Sequence, residues 1–160
     1  MTMPAIEAEE AEEISCVILP LREVQLVLPT GCVAEVLSWR PPVPLAAAPR
    51  WCAGTINWHG AVIPAVDHEI LERGSAVAES GAGRCLAVIN RTTAAAAWPF
   101  YALVVHGIPR LVLVAQMDLS GERDPEASGE LLRVRVGTEL LVIPDMAGLE
   151  RHLAGLAQPA

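Results

Sequence analysis

This chain contains no lysine; all eleven of its basic residues are Arg. Three chemistries fall with that absence. A P-loop needs its Lys, a Schiff base needs an amine, and a Ser-Lys dyad needs one too. Aromatics are scarce as well, at 4%, with a single Tyr and a single Phe. A stacking platform for single-stranded nucleic acid would want more. No apolar run approaches the roughly 20 residues of a membrane-spanning helix. The longest strongly apolar stretch, Thr93 to Val105, is interrupted by Pro99. The N-terminus has no basic region leading into an apolar run, so no signal peptide is expected and the cytoplasm is the expected address. Cys16, Cys32, Cys52 and Cys85 lie far apart, none forms CxxC, and each stands beside Val, Leu or Ala. They are expected to be small buried hydrophobes, since a zinc site would want close ligand pairs.

Catalytic motifs are equally thin. His68-Glu69 fails as HExxH because position 72 is Glu, and no GxSxG elbow occurs. Gly81-Ala82-Gly83 does not extend to GxGxxG. Asp67-His68-Glu69 reads as the solvated first turn of a short exposed helix. His106, before Gly107, is expected in a hairpin turn, and His152 on a terminal helix, both at the surface. No enzyme and no cofactor are expected; a small hydrolase is the enzymatic alternative.

What the chain does have is a strongly apolar body, 52% of 160 residues, with a net charge of −8. That excludes a disordered chain and suits one fold of two small lobes. Glu7, Glu9, Glu10, Glu12 and Glu13 crowd the start; without these five, 14 acids face 11 arginines, a body charge of −3. Residues 1–13 read as a solvated acidic tail. A nucleic-acid backbone or an anionic membrane surface would be repelled by this field.

Beyond the tail, short runs rich in Val, Ile and Leu alternate with Pro and Gly. Strands are expected near Cys16–Leu19, Val24–Leu28, Val33–Leu37, Cys52–Ile56, Ala61–Val66, Cys85–Asn90, Tyr101–Val105, Leu111–Val114, Leu131–Val136 and Leu140–Ile143. Ten short strands point to barrels, an all-β fold, rather than a parallel α/β sheet. Two short helices are expected, Asp67–Arg73 with Asp67 as N-cap, and one opened by Pro144-Asp145 and ending near Leu156. Arg40–Pro49 holds four of the 13 prolines and should be a stiff segment covering a surface rather than joining a sheet. Ser75–Gly83 reads as the boundary between two halves, and Ser120–Gly129 as a connector. An apolar run, turn and apolar run echo in both halves, too weakly for a repeat to be read from sequence.

One block is sharper. Gly54-Thr55-Ile56-Asn57-Trp58-His59-Gly60 is followed by Ala61-Val62-Ile63-Pro64-Ala65-Val66-Asp67, a hairpin whose last turn residue wants positive φ. Pro64 within its second strand marks an edge or bulge. This block resembles the CheW-like domain family, whose text here runs Gly-Val-Ile-Asn-Leu-Arg-Gly, then Ile-Pro-Val, then Asp. Gly54, Ile56, Asn57, Gly60, Ile63, Pro64, Val66 and Asp67 match. Ser15–Val36, Arg84–Leu113 and Leu131–Leu153 resemble the family's opening, middle and closing stretches, so that the likeness spans residues 14–153 and leaves 154–160 as a tail.

The resemblance implies two side-by-side five-stranded, SH3-like barrels with a hydrophobic groove between them. It implies a non-catalytic adaptor that bridges methyl-accepting chemoreceptor tips to the regulatory domain of a CheA-type histidine kinase in a membrane-associated array. Leu19-Pro20-Leu21-Arg22 and the segment from Val33 to Pro42 resemble the branch serving type IV pilus (twitching) systems. It places protein contacts on Val33, Glu35, Gly54, Asn57, His59, Ala102, Ile108 and Leu111, and Trp58, beside the matched turn, joins them as a tryptophan suited to an interface. Three positions depart from the family pattern. His59 stands where the family has Arg, replacing a permanent bidentate donor by a group only partly charged near neutral pH. Ala102 stands where Gly is usual, and Pro20 interrupts the opening strand. From the residues alone, Val33, Ile108 and Leu111 are core or groove apolars, Glu35 a strand-surface charge, and Gly54 and Gly60 backbone geometry. His59 is then a solvated turn residue, and Trp58 the exposed one among Trp39, Trp51 and Trp58. A barrel that binds a ligand or single-stranded nucleic acid is the other alternative.

Overall fold

The computed structural model describes residues 13–73, 83–93, 97–115 and 130–156. Among these residues ten strands run in chain order: β1 (Glu13–Pro20), β2 (Gln25–Pro29), β3 (Val33–Ser38), β4 (Cys52–Trp58), β5 (Ala61–Val66), β6 (Cys85–Asn90), β7 (Phe100–Val105), β8 (Arg110–Ala115), β9 (Glu130–Val136) and β10 (Glu139–Pro144). The helices are α1 (His68–Arg73) and α2 (Met146–Leu153). Every expected strand is present, most extended by a residue or two at an end. Acidic residues 1–12 and the connector Ser120–Gly129 lie outside the described residues; Glu13 opens β1 instead of ending a tail.

The strands form two five-stranded sheets, ordered β8-β1-β2-β10-β9 and β3-β6-β7-β5-β4. Each curls about its own core. In the first, Val112 and Val114 of edge strand β8 join Leu132, Val134 and Val136 of the opposite edge β9, around Cys16, Ile18 and Leu141. In the second, Leu37 of β3 and Ile56 of β4, again from opposite edges, pack around Ile63, Leu86, Val88 and Val104. Side chains alternate along a strand, and here the alternate set is buried too. Val17, Leu19, Leu26 and Leu28 of the first sheet meet Val66, Ala87, Ile89, Leu103 and Val105 of the second in a third, shared core, closed by Met146, Leu149 and Leu153 of α2. The unbroken apolar text of β1, β6 and β7 follows, since such strands are buried on both faces.

This arrangement corrects several expectations. The halves do not divide near 75–83, because the elements on either side of that segment, β5 and β6, belong to one sheet. The second barrel, β3 to β7, is instead inserted into the first between β2 and β8. The space between the barrels is not an open groove but mostly a filled core. His106 is not in a hairpin, because β7 and β8 lie in different sheets; it sits on the crossing between barrels, its backbone N–H donating to Pro20 O at 2.8 Å. Its ring is half-buried, neither ring nitrogen has a hydrogen-bond partner among the described residues, and burial, with Arg22 nearby, pulls it below the ordinary histidine range. His152 is exposed, as expected. Pro20 ends β1 opposite Gln25 and does not interrupt it. Pro64 lies where β5 pairs only with β4, since the partnership with β7 starts at Ala65. The proline segment touches the sheet after all, through a two-bond bridge between Val43 and Thr55. Cys16 and Cys52 are buried, whereas Cys32 and Cys85 are half-buried. Helix α2 ends at Leu153, and Leu156, read as tail, is buried in the shared core.

The largest correction concerns Asp67-His68-Glu69. All three are buried. Asp67 caps α1 through Ile70 N–H and also pairs with Arg22, from the β1–β2 turn of the other barrel, at 2.7 Å. Glu69 accepts the backbone N–H groups of Arg22 and Glu23 at 2.8 and 2.7 Å. Removing one member of such a buried pair costs about 3–5 kcal/mol, because the other charge is left uncompensated. These carboxylates are a rivet between barrels and not a solvated turn.

A second rivet holds α2. Glu150, buried, accepts from the backbone N–H and hydroxyl of Thr92 and of Thr93, and from the Tyr101 hydroxyl at 2.8 Å. Trp98 Nε1 donates to Leu153 O, one of the helix's last carbonyls. Burial raises the Glu150 pKa, but these donors outweigh it and the net shift is downward. A carboxyl lowered in the folded state stabilises fully above its unfolded value and loses that contribution as pH falls through its folded value. Glu150→Gln should therefore lower stability at pH 7 by about 1–3 kcal/mol, and the gap to the parent should narrow below about pH 4.5. Urea midpoints at pH 7 and 4 check this; an unchanged midpoint at pH 7 refutes it.

Candidate functional site

The nine residues singled out from sequence fall into three groups. The first closes the second barrel. Glu35 lies on edge strand β3, and Trp58 and His59 lie at the tip of the β4–β5 hairpin, on the opposite edge of the same sheet. Trp58 Nε1 donates to Glu35 Oε1 at 3.1 Å, and His59 Nε2 lies 3.1 Å from the same oxygen. Arg40, just past β3, donates to Asn57 O at 2.6 Å. Side chains thus tie edges that share no strand pairing. The hairpin loop is His59-Gly60 with φ of 48° and 80°, the doubly positive signature of a type I′ turn. Trp58 is half-buried like Trp39 and Trp51, not the exposed one of the three, because its ring packs on Phe100, 4.9 Å between centroids. His59 is exposed.

The second group is interior. Ala102 is fully buried in the core of the second barrel, so it cannot touch a partner. Gly54 is buried too. Its φ is 133°, and a Cβ there would lie 2.3 Å from Val43 O, so it lets the proline segment lie against β4 and contributes no contact of its own. Val33 is half-buried against the shared core.

The third group is open. Ile108 is 81% and Leu111 74% exposed. Two neighbours escaped the sequence reading: Leu113 at 61% and Val36 at 43%. Register explains three of them, Ile108 lying in the connection before β8. Leu111 pairs with Val17, and Val36 with Ala87, residues of the shared core. Leu111, Leu113 and Val36 therefore stand on the sheet faces that fill the seam, but at edge strands, where the opposing barrel ends. Alternation along β8, with Val112 and Val114 inward, was the available signal for Leu113. Beside them an open cleft of about 360 Å³ is lined by Val36 to Trp39, Gly83 to Cys85, and Gly107 to Pro109. It is what remains of the expected groove. The outer face of the other edge, β9, carries Arg133 and Arg135 instead, since Val134 between them points into the core.

No group of three or more His, Cys, Asp or Glu among the described residues could hold a metal ion. Nor is any helix among them long and apolar enough to cross a membrane. Burial raises all four cysteine thiols above their ordinary pKa, the reverse of what a nucleophile needs.

Glu35 offers a direct check on the first group. The bond from His59, then that from Trp58, holds its carboxyl below the ordinary Glu value. In His59→Ala and in Trp58→Phe its pKa, followed by carboxyl NMR titration, should rise, and rise further in the double variant. A titration unmoved by either change would mean that the barrel is not closed this way.

Comparison with known proteins agrees with this architecture. The CheW-like domain family model matches residues 15–152. No curated protein matches the sequence. Among solved structures, the scaffolding protein TtCheW from Thermoanaerobacter tengcongensis is similar, with a TM-score of 0.69, 15% identity, and 84% of this chain and 90% of that one covered.

Proposed function

The chain belongs to the CheW-like domain family, and from that premise we propose that it is a non-catalytic adaptor joining methyl-accepting chemoreceptor tips to a CheA-type histidine kinase. One observation carries the reading. The faces that weld the barrels together run out into solvent at β3 and β8, leaving Val36, Ile108, Leu111 and Leu113 as an apolar mouth flanked by two open strand edges. Soluble proteins keep such patches small unless they bind something.

Binding divides between two surfaces. The mouth, with Val33 at its inner end, takes a helical receptor tip through a few apolar anchors. The hairpin tip of Asn57, Trp58 and His59, with Glu35, meets the kinase's regulatory domain. Contacts of this kind bury on the order of 1,000 Å² each and are weak singly; a receptor array makes them firm through multivalency. The protein would work in the cytoplasm, beside the membrane that carries the receptors. The likeness of Leu19–Arg22 and Val33–Pro42 to the twitching branch supports a type IV pilus system as the pathway served.

Ile108→Glu and Leu111→Glu should each weaken binding to a receptor signalling-tip fragment by about tenfold or more. Their urea midpoints should match the parent, because both side chains already face water. Titration calorimetry reads the first and circular dichroism the second. Parental affinity in both variants would remove the mouth from the account.

A further inference from the structure

We propose that His106 makes docking at this mouth pH-dependent: protonating its ring loosens the crossing that carries Ile108. The control presupposes the adaptor reading and acts on the same site.

The chain passes from the second barrel to the first through His106, Gly107, Ile108 and Pro109, between β7 and β8. This short crossing is tied to both bodies. The His106 backbone N–H donates to Pro20 O of the first barrel at 2.8 Å. Gly107 O accepts from the Cys85 thiol of the second at 3.6 Å. A Cβ on Gly107 would lie 2.9 Å from the Pro20 Cβ, so the backbone passes closer to the end of β1 than a side chain would allow. Ile108, 81% exposed, comes next. The seating of His106 therefore fixes where Ile108 stands on the rim.

The ring itself is poorly provided for. Both nitrogens are shut off from water, and neither has a hydrogen-bond partner among the described residues. A neutral imidazole leaves one donor and one acceptor unmet there; an imidazolium leaves two donors and a whole charge. Four charged groups act on it: Arg22 from the β1–β2 turn, Asp67 and Glu69 from the start of α1, and Arg84 from the approach to β6. The two carboxylates could answer an imidazolium, but both are engaged in the rivet. Asp67 holds the Arg22 guanidinium at 2.7 Å, and Glu69 accepts the backbone N–H groups of Arg22 and Glu23. The Cys85 thiol beside Gly107 is raised by burial and adds no charge. Burial first, then Arg22, accordingly lowers the His106 pKa.

Because its folded value is lowered, His106 costs nothing above the ordinary value of about 6.5. As pH falls below that, a state with the ring released to water takes up the proton and gains population. Release draws the backbone N–H away from Pro20 and lets Ile108 leave the rim. Receptor affinity then falls with the fraction of molecules still closed.

The test uses the full chain, its His106→Gln variant and a receptor signalling-tip fragment, with affinity measured at pH 7.5 and 5.5. The parent should bind about threefold or more weakly at pH 5.5, and His106→Gln about equally at both values. The fragment is the same throughout, so its own titration cancels in the comparison. In the free parent, imidazole NMR should place the His106 midpoint below the ordinary value, and the Ile108 amide should shift along the same curve. That measurement needs neither variant nor receptor, and it decides the matter if His106→Gln fails to fold. An Ile108 amide that ignores the His106 titration overturns the switch. An equal acid loss in parent and variant does the same, placing the control elsewhere, at His59 for example. If the parent binds equally well at both values, the switch is wrong and the adaptor reading stands. If the parent binds the fragment at neither, both fall.

Discussion

The molecule depends on one constraint: its central strands must be apolar on both faces. Inward residues such as Ile18 and Val88 fill separate barrels, while their neighbours Val17, Ala87 and Ile89 fill the core that the barrels share. Neither barrel is complete alone, since each would expose a sheet of Val, Leu and Ile. The Arg22–Asp67–Glu69 cluster and the Glu150 nest pin the two bodies at opposite ends of the chain's route between them. Breaking either cluster is costly because the remaining buried charge is left uncompensated. The consequence for function is a mouth of fixed shape: wherever one barrel stops covering the other's face, apolar side chains are left presented on rigid strands.

The two barrels are copies in topology. Hairpins β1–β2 and β6–β7 correspond, as do β9–β10 and β4–β5, and each sheet holds one parallel pair, β2 with β10 and β7 with β5. The last strand of each copy runs through a proline, Pro64 or Pro144, into a short helix capped by an aspartate, Asp67 or Asp145. The echo in the sequence was therefore real, but it lay in placement and capping rather than in matching letters. It also makes β3 and β8 equivalent positions, each the edge beside its copy's first hairpin, which is why the apolar mouth opens between them.

Much of this was legible beforehand. Alternating apolar runs bounded by Pro and Gly located the strands, and Asn57 to Gly60 marked the hairpin. What escaped was pairing at a distance. Nothing in Asp67-His68-Glu69 tells that an arginine 45 residues earlier lies against Asp67, so from sequence a charged triplet at a helix start reads as solvated. The same limit put the boundary at a Gly/Ser-rich stretch, when the chain in fact changes barrel at a short turn after β2 and again at His106 to Pro109. For the site, Ile108 and Leu111 emerged exposed, whereas Ala102 and Gly54 proved to be interior geometry. A motif preserves residues that shape a surface along with those that form it. Leu113 is not among the matched positions and becomes visible only through the register of β8.

The account's central claim is that two barrels behave as one unit, so that the mouth between their edges is preformed. Native-state amide hydrogen exchange on the free protein tests it most directly. If the claim holds, the slowest amides of both barrels, Ile18 and Val27 in one and Val88 and Leu103 in the other, exchange with one common free energy and one denaturant dependence. If the first barrel opens at markedly lower free energy while the second stays protected, the shared core is not what holds the fold, and the mouth is not a preformed site.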